Sequence, residues 1–368
     1  PGPGAPARAV SREQSSFSGA ALEAGGPPST YKIGVKKEGI YRLSCSSLPG
    51  CPIADYIGLD PATFRLRDKG VEVPLRVLGG QDLSFDLGDV LEFYGQAKVD
   101  PFSTLNCAPP TCNGNVYEYA DFTDTNVYLL DAPESAGRVR MSTLDGTPGA
   151  LAAESSFLDT AHAEVNDRFL PLGANDAFYW TPTLTADEVT TGFRDLSLPL
   201  PGLASASFTA PVVVRLRGVT SLDPVNPDHR TRLTVNGSGG TITTFDWDGE
   251  VIFNHTTSAA QSLLTNPTTL HLEVVAVPGI SVDQVLVDYA EISYRRQFQA
   301  VTDALAFNFA NQAAKFVVQG FSGPGIAAYD ISRALPAEPS ILEPRLVVNG
   351  TAGPRSLTFL AALEGAPT

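Results

Sequence analysis

The thiol and imidazole groups from which a nucleophile and its base could be drawn are Cys45, Cys51, Cys107 and Cys112, and His162, His229, His255 and His271. A cysteine nucleophile needs a thiolate with a histidine in hydrogen-bond reach. The cysteines instead fall in two close pairs, Cys45 with Cys51 and Cys107 with Cys112, each in a stretch rich in Pro, Gly, Ser or Asn. Two local disulfides fit that spacing in an exported protein and would leave no thiol for catalysis. The competing reading is one zinc site of four thiolates, although zinc pairs normally stand about two to four residues apart. His271 opens the apolar run HLEVVAV and reads as structural. His229 lies in the loop DPVNPDHR, where Asp228 or a backbone carbonyl can fix its ring. No G-x-S-x-G elbow is present, so serine hydrolase chemistry has no anchor.

Oxygen-rich loops suit calcium, a hard cation, and three concentrate such donors: Asp121, Asp124 and Asn126; Asp223, Asn226 and Asp228; Asp246 and Asp248 around Trp247. None has the full EF-hand spacing, and Asp and Asn also populate turns by bonding to their own backbone. Trp247 with His229 could form a ligand platform for a sugar, aromatic face beside polar groups, whereas Trp180, within FYW, reads as core. A glycosidase needs only two suitably spaced carboxylates, and 40 Asp and Glu make that signal uninformative without geometry.

The formal charge of −15, from 25 Lys and Arg against 40 Asp and Glu, repels phosphate backbones and anionic headgroups, so nucleic acid is a poor partner. No apolar run is long enough to span a membrane, and the first residues show no basic-then-apolar export signal. A processed, exported, extracellular or cell-surface chain is expected.

The elements that would position these residues are strands. With 33 Gly and 29 Pro, the 368 residues carry many turns and few signs of long helices. Residues 1–30 hold few large apolar side chains and read as a flexible leader or an arm laid on another sheet. Short alternating runs then predict an N-terminal β domain over 31–150, a β-sandwich over 151–300, and a small β domain over 301–368. The fold class is all-β: tandem sandwich or jelly-roll-like domains with a small C-terminal β domain. In VLVDYAEISY, strict alternation places Val285, Val287, Tyr289 and Glu291 on one face, and Leu286, Asp288, Ala290 and Ile292 on the other.

The ordered motifs YKIGVKKEGIYRL, FRLRDKGVEVPL, LGDVLEFYG and DTNVYLL resemble the region ahead of the catalytic domain in gingipain-like, caspase-clan cysteine peptidases of secreted bacterial proteins. HAEVNDRF, AFYW, DHRTRLTVNG, FDWDG and VDQVLVDYAEISYRRQF are similar to the galactose-binding-like sandwich that precedes many of those peptidases. The resemblance covers about residues 31–333 and implies a pro- or accessory region. Such a region aids folding, holds a zymogen inactive or positions the enzyme at the surface, with the peptidase domain as its partner in cis or in trans. No residue maps onto the family's catalytic His and Cys, and the chain is expected to end before that domain. Arg295, Arg296, Arg345 and Arg355 are the basic side chains that an inhibitory segment would present to an arginine- or lysine-specific pocket. The alternatives are a surface adhesion or glycan-binding module, and a structural subunit whose first thirty residues are donated to a neighbouring subunit's sheet.

Overall fold

The computed structural model describes residues 12–13, 29–48, 50–97, 125–133, 138–170, 178–221, 225–237, 241–309 and 312–361. The chain divides into two compact units, one made of 1–154 with 300–368, the other of 155–299. Among the described residues all the extended secondary structure is β, with three short 3-10 turns. Among the described residues no helix is long and apolar enough to cross a membrane.

The first unit begins with β1 (Arg12–Glu13), β2 (Tyr31–Val35), β3 (Gly39–Ser44), β4 (Arg65–Asp68), β5 (Val71–Val73), β6 (Arg76–Leu78), β7 (Val90–Gly95), β8 (Asn126–Asp131) and β9 (Ser142–Asp145). The first eight form two four-stranded sheets, in the orders β1-β3-β7-β6 and β2-β8-β4-β5. Alternation along YKIGV buries Tyr31, Ile33 and Val35 and leaves Lys32 and Gly34 outside. These pack with Leu43, Phe64, Leu66, Leu91, Phe93, Tyr128 and Leu130 in one core. The β4–β5 turn uses Lys69 and Gly70, both at positive φ, as a tight two-residue hairpin requires. Cys45 and Cys51 are joined in a disulfide with their Cα atoms 4.7 Å apart.

The second unit contains β10 (Phe157–Glu164), β11 (Arg168–Phe169), β12 (Phe178–Tyr179), β13 (Leu184–Ala186), β14 (Gly192–Leu198), β15 (Thr209–Gly218), β16 (His229–Val235), β17 (Thr241–Trp247), β18 (Ile252–Ala260), β19 (Thr268–Val274) and β20 (Asp283–Arg296). One sheet runs β10-β20-β15-β18, with β13 also on β20, and the other runs β14-β19-β16-β17. Every pairing in it is antiparallel. The alternating burial of β16 and β19 sends Leu233, Val235, Leu270, Leu272 and Val274 inward against Val212, Val214, Leu216, Val287, Ala290 and Ile292. Each such Leu, Ile or Val contributes about 1.5–3 kcal/mol by leaving water. This is a two-sheet sandwich.

The strict alternation expected along β20 fails at one point. Val214 pairs with Ala290 but Leu216 pairs with Val287, so Arg215 faces two residues, Asp288 and Tyr289, across a β-bulge. The extra residue flips the side-chain parity. Val285 and Val287 therefore share the core with Ala290, Ile292 and Tyr294, and not with Tyr289 and Glu291.

The last strands are β21 (Ala314–Gln319), β22 (Ala328–Leu335), β23 (Glu338–Val348), β24 (Thr351–Gly353) and β25 (Ser356–Ala361). These strands fall in the first compact unit. β23 pairs in parallel with β9, and Leu335 and Ile341 enter the core of the first two sheets. Tyr329 and Ile331 of β22 cover Ile40 and Tyr94 on the opposite face of the β3–β7 sheet. A segment of this length buries too little by itself, and it gains its core by completing another. β1 pairs in parallel with β3, through Arg12 with Ile40 and Glu13 with Tyr41, so part of the leader is laid on a sheet in cis.

Candidate functional site

The residues singled out by chemistry converge most closely at one end of the sandwich in the second unit. β16 and β17 place His229 directly opposite Trp247, both pointing inward. Their rings stack at 4.1 Å, and Trp247 stacks in turn on Phe253 at 5.0 Å. Gly218 makes this approach possible, because a Cβ there would lie 2.7 Å from His229 Nε2 and 3.0 Å from the Trp247 ring. His229 is 0% exposed and Trp247 6%. The two residues expected to form a ligand platform lie buried together at the end of the core. Trp180 is partly buried against the same core, with the Arg194 guanidinium 5.6 Å from its ring.

His229 also carries the only Asp–His arrangement with the look of a catalytic dyad among the fully buried described groups. Its Nδ1 lies 2.6 Å from Asp283 Oδ1, and its Nε2 lies 3.0 Å from the Thr220 carbonyl. In a nucleophilic triad the second nitrogen would face a hydroxyl or thiol. Here both nitrogens face acceptors, an arrangement that favours the protonated, charged ring. Burial opposes that charge, but Asp283, Asp228 and the Thr220 carbonyl outweigh it and raise the pKa above the ordinary value. The cluster ties β16 to Asp283 at the start of β20 and to the Thr220 carbonyl. The loop contact expected for His229 is therefore made to a carbonyl, while its main carboxylate partner is Asp283, not Asp228.

The calcium-type donors behave differently from one another. Asn226 Nδ2 donates to Asp248 at 2.9 Å, and Asp228 accepts the Gly249 N–H at 2.9 Å. Asp246, by contrast, is gripped by Arg230 through two bonds of 2.6 and 2.9 Å, which hold its carboxyl below the usual range and occupy both oxygens. Asn126, in the first unit, donates to Asp68. Asp121, Asp124, Asp223 and the pair Cys107 and Cys112 lie outside the described residues. Among the described residues no three His, Cys, Asp or Glu side chains converge as metal ligands.

The remaining histidines are equally committed. His255, 0% exposed, reaches across the sandwich to Thr231 Oγ1 at 3.3 Å, and burial pushes its pKa down to about 4. His271 lies 2.6 Å from Asp195 on an outer face.

Sequence reasoning missed the polar constellation on the outer face of β10 and β20. There His162 lies 3.0 Å from Glu291 and 2.9 Å from Glu164, with Tyr289 beside it. Burial works against the charged ring, but the two carboxylates outweigh it and raise the pKa to about 9. The bulge turns Tyr289 and Asp288 toward Arg215, whose Nε is 3.0 Å from Asp288. The alternation of HAE hinted that His162 and Glu164 share a face; the cross-strand partner Glu291 had no local signal.

No family model and no curated protein matches the sequence. The fold is similar to the crystal structure of dimeric latent PorU from Porphyromonas gingivalis, with a TM-score of 0.57 and 16% identity over 90% of this chain. This chain spans 30% of the length of that one. A structure of infectious bursal disease virus, Gx strain, overlaps 83% of this chain and 71% of its own at 13% identity, but its TM-score of 0.19 carries no argument.

Proposed function

We propose that this chain is a non-catalytic accessory region of a secreted, gingipain-like cysteine peptidase, and that it restrains the peptidase domain, in cis or in trans. The observation that carries the reading is the likeness, across 90% of this chain, to a protein solved in a dimeric latent form, of which it spans 30%. The ordered motifs from Tyr31 to Arg333 support the same relationship. The described cysteines are joined to each other, and the histidines are engaged by carboxylate, carbonyl or threonine groups within the fold. A disulfide suits an exported protein.

Restraint of a peptidase that cuts after basic residues calls for an exposed basic side chain. Arg296 is held by Asp159 at 2.8 Å, Arg295 lies over Phe208 and Arg345 is paired with Asp330. Arg355 projects, exposed, from the two-residue turn between Gly353 and Ser356. It is the side chain that fits the role. Titrating this chain into the cognate peptidase domain and following hydrolysis of a peptide cut after arginine tests the reading. A saturable fall in rate is expected, weakened about tenfold or more by Arg355→Ala, which corresponds to about 1.4 kcal/mol of lost contact. An unchanged rate at every concentration, from a peptidase domain that folds normally alone, overturns it.

A further inference from the structure

The long edge strands of the sandwich in the second unit are not equally defended. β10 carries Asp159 and Glu164, β14 carries Arg194 and Asp195, and β17 carries Asp246. Charge on an edge is a common way to keep one sheet from adding to another. β18, the remaining long edge, is nine residues of sequence IFNHTTSAA, with no charged residue, Pro or Gly. It also runs without a bulge, because Thr209–Arg217 of β15 pairs one for one with Ala260–Ile252.

The register shows which backbone groups this edge offers. Gly218 donates to the Val251 carbonyl at 3.0 Å just before the strand, and Gln261 donates to the Phe208 carbonyl at 2.9 Å just after it. Hydrogen-bonded residues alternate with non-bonded ones along an antiparallel pair. The odd-numbered residues from Val251 to Gln261 therefore bond to β15, while Ile252, Asn254, Thr256, Ser258 and Ala260 turn their N–H and C=O groups away from it. Among the described residues nothing takes those backbone groups.

The strand is also complementary to its own reverse. Exposed Glu250, Val251 and Ile252 stand at one end, and Ala260 and Leu263 at the other. Gln261 accepts the Arg295 N–H at 2.8 Å and so ties that residue to the second end, with its guanidinium 5.3 Å from the Phe208 ring. Neither Glu250 nor Arg295 has an ion-pair partner among the described residues. Two copies of β18 related by a two-fold axis at Thr256 pair Thr256 with itself, Asn254 with Ser258 and Ile252 with Ala260, always one outward-directed residue with another. Glu250 and Val251 of one copy then lie toward the end that bears Leu263 and Arg295 in the other. The two Glu250 carboxylates stand about 40 Å apart at about 3.3 Å per residue, well beyond the screening length of about 8 Å. On a chain of formal charge −15, a charge-free strip is where two copies approach with least repulsion.

We propose that the free edge of β18 is a dimerisation edge, to which a second copy of this chain adds antiparallel about Thr256 so that the two sheets continue as one. The proposal does not rest on the accessory-region reading. Sedimentation equilibrium of the full chain over a concentration series tests it, with Thr256→Pro and Thr256→Lys as variants. Proline removes an N–H that points away from β15, which an edge strand tolerates, and lysine on this exposed side chain position sets two ammonium groups together at the axis. The wild type should show a monomer–dimer equilibrium, weakened about tenfold or more in each variant, while urea unfolding followed by tryptophan fluorescence shows the variants folded. A wild type that stays monomeric up to about 1 mM overturns the proposal. So does a dimer of unchanged affinity in folded Thr256→Lys, or growth past the dimer, because a two-fold contact closes on itself.

Discussion

Raising the pH from about 6 to about 9.5 should weaken the second unit through His162. The perturbation removes the proton that lets the ring bond to both Glu164 and Glu291, at 2.9 and 3.0 Å. The folded pKa of about 9 lies above the ordinary 6.5. The stabilisation is therefore complete below about 6.5, and is lost as pH rises through about 9. At about 1.4 kcal/mol per pH unit, the interval corresponds to about 3 kcal/mol. The readout is built in: the protein has two tryptophans, Trp180 and Trp247, and both belong to the 155–299 unit. Urea unfolding of the full chain followed by tryptophan fluorescence therefore reports that unit alone. His229 titrates with the same sign, so the decisive quantity is the difference between the wild type and His162→Gln. The wild type should lose about 3 kcal/mol more than the variant between about pH 6 and 9.5. Parallel curves would refute the reasoning, because they would mean that the two carboxylates do not hold the imidazolium.

His255 predicts the opposite limb. Buried neutral with a pKa near 4, it penalises the folded state as pH falls from about 6.5 to about 4, and His255→Asn should flatten the acid limb of the same fluorescence-detected stability profile. Replacing both Cys45 and Cys51 by Ser opens a loop of sequence separation 6, which should cost the first unit about 2 kcal/mol, read from its transition in far-UV circular dichroism. Glu92→Gln removes the buried charge shared by Arg42 and Arg76 and should destabilise that unit by about 3 kcal/mol, whereas Arg355→Ala, at an exposed turn, should leave its stability unchanged in the same unfolding curves.

The sequence by itself determined the class of the fold and several local features. Period-two alternation in YKIGV, HRTRLTV and TTLHLEV follows from side chains pointing to opposite faces of a strand, and each run buries its expected positions. The close spacing of Cys45 and Cys51, and the Lys69–Gly70 turn, are short-range in the same sense. Tertiary structure decided which strands are neighbours, and with that decided the chemistry. His162 meets Glu291 across 129 residues, and His229 meets Asp283 across 54. Glu92 becomes the centre of a charged row only because β3 and β6 flank β7, and it acquires Tyr329 from 237 residues away. One bulge opposite Arg215 overrides the alternation that the sequence of β20 suggests, and turns Tyr289 and Glu291 out of the core. The C-terminal strands join the first unit because their apolar faces are too small to bury one another. Alternation is a property of one strand, whereas register, bulges and partners are set by the whole sheet, where loop-closure cost and core burial are balanced over the entire chain.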